Sequence, residues 1–270
     1  MTKTAIVARP ETVGELRRIL EAGPVLAELQ KAMPPGLSPK RLVRQCMSLV
    51  QRTPRLLQCT SISMLSGLMQ AAELGLELTG PLGHAYLIPR KIKATGEMTA
   101  TFQLGYKGLI ALAYRSPALG SLTARHVREA DEFEVALGTE NRLHHRIARG
   151  ERGPIVSYYA CAFFLRGGHD FEVWSRADAE AHRDRYAASR GDDSAWKTAF
   201  DAMGLKSVIA ALCRRLSLCP EAQAAVGAEE EAAAAADRGE TPSRTQEVLA
   251  QLEASFGTAE EAPPGDSAGA

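Results

Sequence analysis

The sequence predicts an α+β fold, with helices at both ends of the folded region and a small antiparallel sheet between them. Three observations lead there. Apolar residues recur at helical spacing through the first third of the chain. The middle changes to short strand-like runs broken by Gly-containing turns. Helical spacing returns after residue 176. Strands that follow one another, rather than alternating with helices, exclude a βαβ sheet.

Each element has its own signal. Residues 10–23 and 24–33 read as short helices punctuated by Pro and Gly. After Pro34-Pro35-Gly36, Ser38 is placed to cap a helix that begins at Pro39 and carries Leu42, Val43, Cys46, Leu49 and Val50. Proline suits that first position because the N–H it lacks has no helical partner there. Thr60 or Ser61 opens the next helix, with Ile62, Leu65, Leu68, Met69, Ala72 and Leu76 on one face and Gly75 near its end. Residues 78–83 form a Gly/Pro-rich loop. Residues 85–89 and 99–104 flank Lys93-Ala94-Thr95-Gly96 and read as a β-hairpin with a basic tip. Residues 105–115 form the central helix on which the sheet packs. Strand-like runs follow at 122–127, 132–136, 155–165 and 169–174, the last two joined by Arg166-Gly167-Gly168. Two helices close the folded part, 176–188 and 195–218, the second with a weak point at Gly204. Beyond Pro220, Glu229-Glu230-Glu231 and a run of alanines read as a frayed helix or a plain linker. A short amphipathic helix with Val248, Leu249, Leu252 and Phe256 spans 243–256, and the closing APPGDSAGA is a flexible tail. The expected domains are therefore a helical arm (1–37), a core (38–220), an acidic linker (221–242) and a helix with a tail (243–270).

Composition is globular, with 45% hydrophobic and 24% charged residues. The net charge of zero is the sum of two opposed regions. Residues 221–270 hold 11 acids and 2 basic residues, whereas residues 1–220 hold 30 basic residues and 21 acids. Five cysteines without a C-x-x-C pair read as reduced thiols. The N-terminus lacks the apolar core of a signal peptide, and no run is long enough to span a bilayer, so the expectation is a soluble protein with no membrane partner.

Catalytic and phosphate-loop signatures are missing. There is no G-x-x-x-x-G-K-[ST], no G-x-S-x-G and no H-E-x-x-H. Gly75, Gly80 and Gly83 follow a helix and not a strand, which does not suit a dinucleotide loop. His144 and His145 are adjacent and cannot face one metal from a regular element. The reading is thus a protein with no catalytic residues, no metal and no cofactor.

Charge placement is more informative. Between Leu78 and Arg128 the only acid is Glu97, against Arg90, Lys91, Lys93, Lys107, Arg115, Arg125 and Arg128. Tyr86, Phe102, Tyr106 and Tyr114 are interleaved with them. Cations neutralise phosphates, and aromatic faces stack on unpaired bases whatever their sequence. A second acid-free element runs from Ala202 to Pro220. There Leu205, Val208, Ile209, Leu212 and Leu216 form an apolar stripe, opposite Lys206, Ser207, Ala210, Ala211 and Arg214, with Arg215 on the flank.

Several of these residues fall in motifs. Pro81-Leu82-Gly83-His84-Ala85-Tyr86-Leu87-Ile88-Pro89, Phe102-Gln103-Leu104-Gly105-Tyr106-Lys107-Gly108-Leu109-Ile110 with Arg115-Ser116, and Trp196 through Met203-Gly204-Leu205-Lys206-Ser207-Val208-Ile209 to Leu216 resemble the RecT family of phage and prophage single-strand annealing recombinases. Asp131-Glu132-Phe133-Glu134 and Phe171-Glu172-Val173-Trp174-Ser175 are similar to that family too. The likeness covers roughly residues 40–220. It implies an ATP-independent protein in the cytoplasm of a bacterial host that binds single-stranded DNA, holds the annealed duplex and assembles into rings or helical filaments. It also implies a phage exonuclease and the host single-stranded-DNA-binding protein as partners. By motif, the expected DNA contacts are Arg90, Lys91, Lys93, Tyr106, Lys107 and Lys206. Charge and periodicity add Arg115, Arg214 and Arg215, and the interleaved aromatics add Phe102.

Two other classes compete. A magnesium-dependent nuclease would use Glu129, Asp131, Glu132 and Glu134 as ligands. On a strand, however, 132 and 134 share one face and 129 and 131 the other. A scaffold that binds only protein leaves the acid-free stretch from 98 to 128 without a reason.

Overall fold

The computed structural model describes residues 9–78, 83–92, 95–186 and 194–216, together with positions 224, 227, 231, 246–248 and 250. They fall into two compact units: Met1–Gln103 with Ala235–Ala270, and Leu104–Ala234. Mixed helices and small antiparallel sheets make the fold α+β, as the sequence predicts.

In the first unit, α1 (Val13–Leu20) starts at Thr12, whose hydroxyl accepts the Glu15 N–H at 3.1 Å, and buries Leu16, Ile19 and Leu20. Helix α2 (Gly23–Ala32) follows, and α3 (Pro39–Arg52) buries Leu42, Val43, Cys46, Met47 and Val50. Ser38 stands at the cap position of α3, but its side chain makes no capping bond, so Pro39 is what sets the start. A 3₁₀ turn (Pro54–Gln58) leads into α4 (Ser61–Glu73). Helix α4 is buried on nearly every side, not along one stripe. Small residues on its other faces allow this: Ser63, for example, donates to the Thr60 carbonyl (2.8 Å) and accepts the Ala100 N–H (2.9 Å). That second bond ties α4 to a hairpin of β1 (Ala85–Lys91) and β2 (Met98–Leu104). Gly67 faces the hairpin; a Cβ there would overlap the Leu87 side chain.

In the second unit, α5 (Tyr106–Ala113) precedes β3 (Leu119–Arg128), β4 (Glu132–Ala136), β5 (Arg142–Arg146), β6 (Ile155–Phe164) and β7 (His169–Ser175). Helix α6 (Arg176–Tyr186), a short turn α7 (Ala195–Thr198) and α8 (Phe200–Arg215) complete it. The sheet has order β3-β6-β7 and is antiparallel throughout, with Ala160 opposite Ala124 on one side and Glu172 on the other. Both faces are covered. Tyr158, Ala160 and Ala162 lie on the side of α8, which packs across all three strands with α5 against it. Tyr159 and Cys161 point the other way, into a cluster with Val127 and Phe171 roofed by Phe133, Val135 and Leu143 of the β4–β5 hairpin. This is why the centre of β6 reads as an unbroken hydrophobic run and not as an alternation.

Two sequence expectations need correcting. The last helix does not weaken at Gly204; it breaks at Ala199, whose φ of −147° and ψ of 50° end α7. Gly204 is buried inside α8, where it lets the helix lie flat on the Tyr158 ring. Ser207, placed on the outer side by the sequence, is buried beneath α8, so the packed arc of that helix is wider than five apolar residues suggest. Strand β5 is not legible in the sequence, because Arg142-Leu143-His144-His145-Arg146 is too polar to read as a strand; it pairs with β4 from Ala136↔Arg142 to Glu132↔Arg146.

Lys93, the loop glycine Gly80, Cys219 and most of the expected linker, helix and tail lie outside the described residues. Val248 is described and fully buried. Cys46, Cys59, Cys161 and Cys213 are buried thiols, and burial pushes those of Cys46 and Cys59 up to about 12. Among the described residues, no helix is long and apolar enough to cross a membrane.

Candidate nucleic-acid interface

The hairpin of the first unit separates its residues by parity. Ala85 and Leu87 on β1, with Ala100, Phe102 and Leu104 on β2, are buried. Tyr86, Ile88 and Arg90 share the outer face of β1, as do Thr101 and Gln103 on β2. Arg90 donates to Gln103 Oε1 across the strands at 3.2 Å, which lays its side chain along that face. Lys91 is exposed at the end of β1. A tight turn closes the tip: Ile92 donates to the Glu97 carbonyl, Gly96 to the Ile92 carbonyl, and Gly96 adopts the positive φ of 74° that glycine tolerates.

Phe102 is therefore corrected. Its ring is 6% exposed and belongs to the core between hairpin and α4, with no face for a base. The sequence held the signal, since 100, 102 and 104 share a parity and all are apolar. Tyr86, 37% exposed beside Arg90 on the outer face, is the aromatic group that sequence reasoning left out of the site.

In the second unit, Tyr106 and Lys107 occupy the first turn of α5, Tyr106 half-buried and Lys107 exposed. Gly105 supplies no side-chain cap and there is no acid in that turn. A cation at the positive end of a helix is unfavourable by about 0.3–1 kcal/mol. Lys107 thus stands where folding alone would not place it, and where an anion would be welcomed twice. Two turns on, Tyr114 is 48% exposed, its oxygen accepting the Leu122 N–H at 3.1 Å, and Arg115 beside it is exposed. On α8, Lys206, Ala210 and Arg214 follow at i, i+4 and i+8 and share one line along the helix, opposite the buried Val208 and Leu212.

Arg215 is also corrected. Its guanidinium donates to Asp170 through two nitrogens (2.8 and 3.2 Å), to Glu172 at 2.8 Å and to the Phe171 carbonyl at 2.6 Å. This clamp ties the end of α8 to β7 and leaves the guanidinium engaged with carboxylates in place of phosphate.

The carboxylates proposed for a nuclease do not converge. Asp131 turns inward, with its side chain fully buried, and accepts the Arg128 and Ala148 N–H groups and two nitrogens of Arg152. The bond from Arg152 holds its carboxyl far below the usual range. Glu132 and Glu134 point to solvent and pair across the hairpin with Arg146 (3.3 Å) and Arg142 (2.8 Å). Among the described residues, no three His, Cys, Asp or Glu side chains gather as a metal site.

Comparison with known proteins agrees with the motifs. The RecT family profile matches residues 40–245. Protein RecT of Escherichia coli K12 is 36% identical over 205 residues, covering 75% of this chain and 76% of that protein. An uncharacterized Bacillus subtilis 168 protein, YqaK, is 28% identical over 217 residues, covering 80% of this chain and 72% of the other.

Proposed function

The chain belongs to the RecT family, and from that premise we propose that it acts in DNA recombination by binding single-stranded DNA and annealing complementary strands without ATP. The observation that carries this reading is Lys107, an exposed cation in the acid-free first turn of α5. Its position costs the fold stability and favours a phosphate. The contact set we propose is Arg90, Lys91 and Lys93 on the hairpin, Tyr106, Lys107 and Arg115 around α5, and Lys206 and Arg214 on α8. Tyr86 and Tyr114 replace Phe102 as the stacking rings, because they are the ones exposed. Backbone phosphates would be held by the cations, and base edges left open for pairing. No bond is made or broken in annealing, so positioned charge is sufficient chemistry. Copies assembled along a strand, the annealed duplex as product, an exonuclease that supplies the strand and a host single-strand-binding protein complete the proposal.

The test is annealing of two complementary labelled strands with no nucleotide and with magnesium chelated. The full chain should anneal them, and Lys107→Ala and Lys206→Ala should each slow the reaction for all sequences alike while melting is unchanged. Strand cleavage on adding magnesium, or normal annealing by the double variant, would overturn the reading.

A further inference from the structure

On the face of the β3–β6–β7 sheet away from α8, the β4–β5 hairpin leaves open a cleft of about 420 Å³. We propose that this cleft binds the phosphate of a nucleotide, at a site separate from the Lys107 and Lys206 set. It draws on the nucleic-acid reading for the source of its ligand, not for its geometry.

The back wall is a hydrogen-bonded cluster of rings. His145 Nε2 donates to the buried Asp131 carboxylate at 3.1 Å, and its Nδ1 is hydrogen-bonded with the Tyr159 hydroxyl at 3.2 Å. Phe133 stacks on Tyr159 with ring centres 5.8 Å apart and meets His145 edge-on at 5.7 Å. The Tyr159 hydroxyl is thus committed inward. Donors for a ligand come from the rim. Arg142 has one ion pair there, to Glu134, with both side chains more than 60% exposed. Such a pair is worth about 0–1 kcal/mol and leaves most of the five guanidinium N–H groups available. His144 is exposed beside it, and His169 is anchored by Nε2 donating to the Asn141 carbonyl at 2.8 Å. Of the nearby acids, Asp170 and Glu172 turn to Arg215 and Asp131 to Arg152, while Glu134 stays at the rim as the partner of Arg142. Phe163, 48% exposed, lies 5.9 Å from the His169 ring and offers a flat surface beside these donors. A guanidinium and two imidazoles next to an exposed ring fit a phosphate joined to a base, and the volume is within the range of small-molecule sites.

The ligand could be a mononucleotide or one unit of a strand, so the test has two arms. The full chain and a His144→Ala/His169→Ala variant, both surface changes, are compared by fluorescence anisotropy on a bromodeoxyuridine-substituted oligothymidylate of about 12 nucleotides. They are also compared by thermal shift with thymidine monophosphate and with inorganic phosphate. The variant should bind the strand roughly 3- to 10-fold more weakly, and light should cross-link the strand to the tryptic peptide carrying Phe163. A thermal shift by the mononucleotide that the variant loses would assign the site to free nucleotide. Equal affinity in both proteins, no cross-link at that peptide and no thermal shift would overturn the cleft while leaving Lys107-dependent binding intact. A wild-type chain that ignores the strand but retains a variant-sensitive shift with the mononucleotide would instead remove the annealing reading and keep the cleft.

Discussion

Replacing Gly204 by alanine tests how α8 is seated. In an ordinary helix interior this change is stabilising by roughly 0.5–1 kcal/mol, since alanine loses less backbone freedom. Here the new Cβ would stand 3.0 Å from Cε1 and Cζ of Tyr158 and 3.1 Å from Cε2. The ring cannot step aside. It is fully buried, packs beside Phe200 with centres 6.5 Å apart, and its hydroxyl donates to Asp201 at 2.6 Å. Forcing a methyl into a packed core costs about 1–3 kcal/mol, which outweighs the helix gain and leaves a net loss of about 1 kcal/mol. For a chain of this size that lowers Tm by roughly 2–4 °C. Thermal melting by circular dichroism reads the change. A Gly204→Ala/Tyr158→Leu double variant should show a coupling of roughly 1 kcal/mol between the two sites, because the methyl then has room. A Gly204→Ala protein that melts higher than wild type would mean that α8 does not lie on Tyr158 as described.

Other outcomes follow from the same contacts. Arg215→Ala should destabilise by about 1–2 kcal/mol, since it releases Asp170 and Glu172 together; an unchanged Tm with weakened DNA binding would restore Arg215 to the interface. Cys46 and Cys59, their thiols pushed up to about 12, should resist labelling by a thiol reagent at pH 8 until denaturant is added, with peptide mapping as the check. The carboxyl of Asp131 is depressed in the folded state, so the unfolded chain takes up its proton first. Its contribution to stability is complete above the ordinary carboxylate range and is lost as pH falls below about 4. The Tm gap between wild type and Asp131→Asn should therefore narrow from pH 6 to pH 3, and a gap that widens would contradict the assignment.

Element types were legible in the sequence wherever one periodicity dominated. Helix α3 and the strands β1 and β2 are examples, set by Pro39, by the Leu42–Cys46–Val50 spacing and by turn glycine Gly96. What the sequence obscured comes from burial on two sides. Helix α4 carries serines and a glycine that pack as core, and β6 shows no alternation because α8 and the β4–β5 hairpin cover opposite faces. Charge counting found the basic stretch but could not tell an engaged cation from an exposed one. Arg215 and Lys107 look alike in sequence; only the positions of Asp170 and Glu172 across from α8 separate them. Aromatic interleaving had the same weakness, and strand parity would have moved Phe102 inward and Tyr86 outward.

The central claim is that this chain holds a single strand chiefly through its phosphates. The most direct measurement is the affinity of the full chain for an oligothymidylate as a function of salt. If the proposed cations contact phosphates, log K should fall linearly with log salt, losing about 10³ or more between 50 and 200 mM, and Lys107→Ala should reduce the slope by about 1. An affinity that does not change with salt, or a slope that Lys107→Ala leaves untouched, would contradict it.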